Sequence, residues 1–242
     1  MRSDQSPHFS ASEARYLFGT DSTPHASSPV GGVPPQGGRR IPAPRDLLNG
    51  DHHLSRFVPV FVLLAIMWVL EIVDAILPIN IDLFGLESWN PVSLYGLVTS
   101  PLLHSGFNHL TANTFPFVIL GLFIAVEGAR RFWVVTAITA LVSGLGSWLT
   151  TLPGQHIVGA SGVIFGFFGY LAVRTWFTDD VLRKIIYFTI GLFVFITYGA
   201  AMVFGMLPQD NGISWQGHLF GFVGGVIAAR VIHRRKAPSP SA

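Results

Sequence analysis

Gly159-Ala160-Ser161-Gly162 is the stretch around which the rest of the chain is organised. It lies near the start of an apolar segment from Ile157 to Phe177, so we expect Ser161 about one turn inside a membrane helix. A polar group at that depth is costly unless it faces a cavity or a partner. The stretch therefore predicts a functional site as well as a membrane helix.

Two other apolar segments carry reactive side chains near their beginnings. Ser214-Trp215-Gln216-Gly217-His218 opens the last of them, with His218 at a depth similar to that of Ser161. His109 and Asn113 lie near the start of an earlier one. A hydroxyl, an imidazole and two hydrogen-bond donors are the groups that acyl transfer needs. A hydrolytic site within the bilayer is therefore the leading hypothesis.

The composition is that of a multi-spanning membrane protein. Of 242 residues, 50% are hydrophobic and 12% are charged, whereas soluble domains carry about 25% charged residues. Since the chain contains no cysteine, disulfide bonds and thiolate metal sites are excluded.

Apolar segments of the length that spans a bilayer follow one another along the chain. We predict an all-α protein with six transmembrane helices near 57–78, 107–126, 132–151, 157–177, 184–206 and 215–233. Residues 1–56, rich in Ser, Pro and Gly, are expected to form a disordered cytoplasmic tail. Residues 234–242 are expected to form a short basic cytoplasmic tail.

The basic residues predict the orientation. All 15 Lys and Arg residues fall in the tails, in connections on one side of the predicted spans, or at the span ends next to them. By the positive-inside rule that side is cytoplasmic, so both termini are cytoplasmic. The first outer connection, Pro78 to Gly106, is long and amphipathic around Leu83 to Leu97, and we expect it to lie in the membrane interface.

The second, fourth and sixth predicted spans run in the same direction, which places the candidate residues at one depth in the outer leaflet. His218 is the natural base for the Ser161 hydroxyl. No acid lies on the outer half of a later span, so the pair would be a dyad whose imidazole is oriented by packing or a weaker hydrogen bond. His109 and Asn113 are four residues apart, share one helix face and can donate to an oxyanion together with the Ser161 N–H.

Small residues at intervals of four accompany two of the candidate residues. Gly162 and Gly166 follow the serine, and Gly217, Gly221 and Gly225 surround and follow the histidine. Such ridges let two helices approach closely, as contact between Ser161 and His218 requires.

Two other classes of function remain open at this point. A multi-spanning transporter would use His218, His109 and Asn113 as a proton relay and would not need Ser161. A non-catalytic membrane adaptor that binds client helices would need a groove and neither Ser161 nor His218.

The chain resembles the rhomboid intramembrane serine proteases over residues 57–233. Gly159-Ala160-Ser161-Gly162 matches the family's nucleophile motif, and His218 with Gly221 and Gly225 matches its sixth-helix motif. His104, His109 and Asn113 match the pattern His-x4-His-x3-Asn at the second helix. The resemblance implies Ser161 as nucleophile, His218 as base, oxyanion roles for His109 and Asn113, and a structural role for His104.

The resemblance also implies a fold, a reaction and a location. The fold is a six-helix bundle whose cavity opens to the extracytoplasmic side of the plasma membrane. The reaction is peptide hydrolysis in or near transmembrane segments of substrate proteins, without cofactor or metal; the partners are those substrates and the lipid bilayer, not nucleic acid. Natural substrate and oligomeric state stay open. Tyr95-Gly96 stand where many rhomboids carry Trp-Arg, and Phe165 stands where some carry a tyrosine that stacks on the histidine.

Overall fold

The computed structural model describes residues 54–208 and 214–233. Within this part of the chain, six helices of 14 residues or more form the framework. They are α1 (Val58–Ile76), α2 (Phe107–Ala125), α3 (Ala129–Thr150), α4 (Ser161–Arg174), α5 (Val181–Gly205) and α6 (Trp215–Ile232). Two short strands, β1 (Leu86–Glu87) and β2 (His156–Ile157), pair antiparallel and join the connections before α2 and before α4.

Each predicted apolar segment overlaps one of these helices, although α3 and α5 each begin three residues before the predicted segment. By length and composition, α1, α2 and α3 are able to cross a membrane, while a six-span arrangement with cytoplasmic termini stays a prediction. The predicted tails lie outside the described residues, except for 54–56, and so do residues 209–213. Arg56, assigned to the tail above, contacts the end of α2 because its Nη1 donates to the carbonyl of Val126 at 3.2 Å.

The connection from α1 to α2 is held by contacts with the end of α3. Trp89 stacks on Trp148 with ring centroids 6.1 Å apart, and its Nε1 donates to the carbonyl of Thr151 at 2.9 Å. A Cβ on Gly96 would lie 2.6 Å from the backbone of Leu86, so only glycine fits there. These contacts anchor the connection, in which Tyr95-Gly96 stand where many rhomboids carry Trp-Arg.

Helices α4 and α6 approach so closely that side chains are excluded between them. A Cβ on Gly221 would overlap the carbonyl of Gly162, and a Cβ on Gly225 would overlap the carbonyl of Gly166. The predicted contact between the two glycine ridges is therefore confirmed. Backbones at this separation gain van der Waals contact that larger residues would prevent.

An aromatic cluster fills the centre of the bundle on the other side of α4. Phe117 of α2, Phe132 of α3 and Phe167 of α4 are all fully or nearly fully buried. Their ring centroids lie 5.5 to 6.4 Å apart, within the range of favourable aromatic pairs. The cluster fixes α4 against α2 and α3, and α4 begins at Ser161.

A buried charged cluster ties together the opposite end of the bundle. Glu127, in the turn between α2 and α3, accepts hydrogen bonds from Tyr170 at 2.6 Å, from Arg174 Nε at 2.7 Å and from Arg131 at 2.8 Å. Burial on its own raises the pKa of Glu127, but these donors and the Arg174 charge outweigh it and lower the pKa to about 2. Glu127 is therefore ionised at neutral pH and joins α3 to α4.

Candidate active site

A cavity of about 1170 Å³ lies at the end of the bundle remote from Glu127. Its walls include the first turns of α2, α4 and α6 and the last turn of α5. Ser161, His218, His109 and Asn113 all line it. The structure thus brings the four candidate residues together, and the chemical role of each stays a prediction.

Ser161 is the first residue of α4, so the expectation that it lies a turn inside the helix is wrong. The helix does not begin at Ile157 because that residue belongs to β2 and because Gly159 has a φ of +116°, a left-handed conformation that interrupts a helix. The first N–H groups of a helix have no intrahelical partner, and the helix dipole adds partial positive charge there. Ser161 therefore stands where an anion is stabilised.

Gly159 also leaves the space that the His109 ring occupies. A Cβ on Gly159 would lie 2.6 Å from Cε1 and 2.8 Å from Nε2 of His109, and 3.8 Å from Nδ2 of Asn113. His109 Nε2 and Asn113 Nδ2 therefore both face the backbone two residues before Ser161. The spacing of His109 and Asn113 predicts that they share one face of a helix. In the structure, that face points at the start of α4.

Two observations suit these groups to donate hydrogen bonds. Asn113 is 7% exposed, and its Nδ2 is buried without a hydrogen-bond partner among the described residues. A buried donor left unpaired costs about 1–3 kcal/mol, so it is expected where a ligand completes the bond. The Ser105 hydroxyl lies 3.2 Å from His109 Nδ1; when it donates there, the ring proton is on Nε2, which faces Gly159.

The orientation of His218 is set by the backbone of α5. His218 Nδ1 lies 2.8 Å from the carbonyl oxygen of Gly205. A carbonyl only accepts hydrogen bonds, so Nδ1 carries the proton and Nε2 keeps its lone pair. The sequence predicted packing or a weaker hydrogen bond in place of an aspartate, and it did not identify the acceptor.

Phe165 supports the other face of the histidine. Its ring stacks on that of His218 with centroids 4.0 Å apart and an interplanar angle of 5°. Gly205 is needed beside this stack, because a Cβ there would lie 2.8 Å from Phe165 Cζ and 3.3 Å from His218 Nδ1. The imidazole is thus held between an aromatic ring and a backbone carbonyl.

Two serines of α3 belong to the site and were not found from the sequence. The Ser143 hydroxyl donates to the carbonyl of Gly217 at 2.8 Å. Ser147 lines the cavity, and its hydroxyl is buried without a partner in the described part of the chain. Their spacing of four residues, which places both on one helix face, is the signal that could have identified them.

His104 supports the segment that precedes Ser161. It is 2% exposed, and its Nε2 accepts a hydrogen bond from the N–H of Ala160 at 3.3 Å. Burial and the neighbouring His109 lower the pKa of His104 to about 4, so the ring is neutral at pH 7 and can accept. Among the described residues, no group of three or more His, Asp or Glu side chains is placed to bind a metal ion.

Comparisons with known proteins assign the family. A Rhomboid domain matches residues 91–235. An uncharacterized protein of Mycobacterium tuberculosis is 37% identical over 181 residues, 72% of this chain and 73% of the relative. The "Putative rhomboid protease YdcA" of Bacillus subtilis is 26% identical over 164 residues, which are 67% of this chain and 76% of the relative. "RHOMBOID-like protein 5" of Arabidopsis thaliana is 30% identical over 134 residues, which are 54% of this chain and 43% of the relative. The chain belongs to the rhomboid family of integral membrane proteins.

Proposed function

We propose that the protein is an intramembrane serine endopeptidase that cleaves peptide bonds in or near the transmembrane segments of other membrane proteins. The observation that carries the proposal is the bond from His218 Nδ1 to the Gly205 carbonyl at 2.8 Å. It leaves Nε2 as the basic nitrogen of the ring, and His218 lines the same cavity as Ser161. A transporter would use the imidazole as a relay but would not need Ser161 in the same cavity, and an adaptor would need neither residue.

In the first half of the proposed reaction, Ser161 Oγ attacks the carbonyl carbon of the scissile peptide bond. His218 Nε2 takes the hydroxyl proton as the bond from Oγ to carbon forms. The developing imidazolium is stabilised by its Nδ1–H bond to Gly205 and by the aromatic face of Phe165. His218 then gives the proton to the leaving amine, and an acyl-enzyme on Ser161 remains.

The tetrahedral intermediate carries a negative oxygen that needs fixed donors. Asn113 Nδ2, His109 Nε2 and the Ser161 N–H are the donors that we assign to it. Asn113 Nδ2 is buried without a partner among the described residues, His109 Nε2 faces Gly159, and the Ser161 N–H lies at the start of α4. The positive end of the α4 dipole adds to the same stabilisation.

In the second half, water attacks the acyl-enzyme. His218 Nε2 takes a proton from the water, the same donors stabilise the second tetrahedral intermediate, and the proton returns to Ser161 Oγ as the carboxylic product leaves. The cavity, about 1170 Å³ in volume and lined by polar as well as apolar residues, has room for that water. The reaction uses no cofactor or metal.

We further propose a multi-pass protein of the plasma membrane whose site opens to the extracytoplasmic side. The site lies at the first residues of α4, whereas Arg174 lies at its last. Arg131 and Arg183 stand at the start of α3 and α5, and Arg230 in the last turn of α6. Basic residues thus gather at the end remote from the cavity, which by the positive-inside rule faces the cytoplasm.

Cleavage of a model single-span substrate by the purified protein tests the proposal. Wild type is expected to cut it, while Ser161→Ala and His218→Ala are expected to be inactive but folded, as judged by thermal unfolding. A Thr197→Ala variant removes an exposed hydroxyl of α5 outside the cavity and is expected to keep wild-type cleavage. Undiminished cleavage by Ser161→Ala would contradict the proposal.

A further inference from the structure

A second concave surface lies at the end of the bundle where the basic residues gather. It is a groove of about 790 Å³ between the start of α1 and the end of α2. Phe57, Phe61 and Ala65 form one wall, and Leu122 and Val126 form the other. Its volume is within the range of ligand pockets, about 300–1000 Å³. The groove is apolar and separate from the cavity that contains Ser161.

One cation stands at the rim of this groove. The Arg56 guanidinium carbon lies 4.9 Å from the centroid of the Phe57 ring. Its Nη1 donates to the carbonyl of Val126 at 3.2 Å, and its Nε is buried without a partner among the described residues. Residues that line the groove therefore hold the guanidinium in place.

The combination of an apolar groove and a positioned guanidinium defines the chemistry of the occupant. Arginine presents several N–H donors in a plane, a geometry that matches phosphate oxygens. Acyl chains match the apolar walls. Basic residues at a membrane surface attract anionic headgroups, whereas a choline headgroup would bring a second cation close to Arg56.

We propose that this groove binds one anionic phospholipid of the inner leaflet. The phosphate accepts hydrogen bonds from Arg56, and an acyl chain lies along Phe61 and Ala65 toward α2. The bound lipid joins α1 to α2 at the end of the bundle remote from the site, so it is expected to stabilise the folded protein.

Thermal unfolding in a neutral detergent tests the lipid preference, with phosphatidylglycerol and phosphatidylcholine titrated separately. Phosphatidylglycerol is expected to raise Tm saturably and by more than phosphatidylcholine does. Arg56→Gln is expected to remove that difference and Arg56→Lys to keep part of it. Arg183→Gln removes an exposed charge at the same end of the bundle. This variant is expected to keep the full difference in Tm rise between the two lipids. Ala65→Trp fills the groove and is expected to abolish the saturable rise.

Equal Tm shifts with the two lipids would overturn the proposal. So would a loss of the difference between the lipids that is as large in Arg183→Gln as in Arg56→Gln, because it would indicate general attraction of the lipid to the charged surface. The occupant is identified by placing the photoreactive p-benzoylphenylalanine at position 61 of the full chain in vesicles that contain phosphatidylglycerol. Adducts with the phospholipid are expected. Adducts with residues 1–53 or with a second copy of the chain would contradict a lipid occupant.

Discussion

His218 Nδ1 lies 2.8 Å from the carbonyl oxygen of Gly205, the last residue of α5. The imidazole on α6 is thus oriented by the end of another helix. Helix α5 packs mainly against α4 and the turn that follows α4, and it exposes many large apolar side chains. In the proposed mechanism, the alignment of the base therefore depends on where α5 ends.

Gly205→Ala tests this dependence. The new Cβ would lie 2.8 Å from Phe165 Cζ and 3.3 Å from His218 Nδ1, so the stacked rings must shift. Since misplacement of a reacting group by about 1 Å can cost about 10²-fold in rate, we expect kcat to fall by about that factor with little change in KM. Steady-state kinetics on a model substrate measure both values.

Gly191→Ala is the matched control on the same helix. The added Cβ would meet its nearest neighbour, the carbonyl of Leu171, at an ordinary 3.8 Å. We expect wild-type kcat from this variant. If Gly205→Ala also kept wild-type kcat, the carbonyl of α5 would not position the base.

Asn113→Ala tests the oxyanion assignment. Removal of one oxyanion donor costs about 10²–10³ in kcat, and His109→Ala is expected to have an effect of similar size. Asn108→Ala removes the same side chain from an exposed position of α2 outside the cavity and should leave kcat unchanged. Wild-type turnover in both the Asn113 and His109 variants would assign the oxyanion to other donors.

Gly221→Leu tests the close approach of α4 and α6. Even a Cβ at this position overlaps the carbonyl of Gly162, so leucine must separate the two helices and is expected to lower both activity and Tm. Val223→Leu adds a methylene to the same helix at a side chain that is 39% exposed and should be tolerated. The reverse pattern would show that the two helix faces are assigned wrongly.

Glu127→Gln tests the charged cluster at the other end of the bundle. The substitution leaves Arg174, which is 5% exposed, without its ionic partner. Breaking a buried ion pair costs about 3–5 kcal/mol, so we expect a large fall in Tm at pH 7. Arg130→Gln, which removes an exposed charge from the first turn of α3, is expected to change Tm little.

The pH dependence of stability follows from the same carboxylate. Because the pKa of Glu127 is lowered to about 2 in the folded protein from an ordinary 4.5, the folded state binds fewer protons than the unfolded state between these values. Its contribution to stability is therefore complete above about pH 5 and is lost as the pH falls toward 2. The difference in Tm between wild type and Glu127→Gln should shrink over that interval; a constant difference would contradict the role of the carboxylate.

The sequence predicted the residues that meet in the cavity because helix direction alone places them. The four candidate residues stand near the starts of helices that were expected to be parallel: Ser161, His218, His109 and Asn113. Their meeting at one end of the bundle could therefore be predicted without knowing how the helices pack. The glycine ridges were predictable for a similar reason, since their spacing defines one face of each helix.

The parts that the sequence did not reveal depend on the backbone and on tertiary contacts. A carbonyl acceptor such as that of Gly205 has no side chain to mark it. The start of α4 at Ser161 depends on the positive φ of Gly159, which a glycine permits but does not require. Glu127 lies in a turn, and its partners Tyr170 and Arg174 are 43 and 47 residues away along the chain, so they meet it only in the folded bundle.

The central proposal is that Ser161 is a nucleophile activated by His218. The most direct measurement is mass spectrometry of the purified protein after reaction with a fluorophosphonate, which phosphonylates activated serines. We expect a single adduct on Ser161, strongly reduced in His218→Ala and in Gly205→Ala but retained in Gly191→Ala. No adduct on Ser161 in a folded, lipid-reconstituted wild-type protein, or equal labelling in His218→Ala, would contradict the proposal and favour a transporter or adaptor.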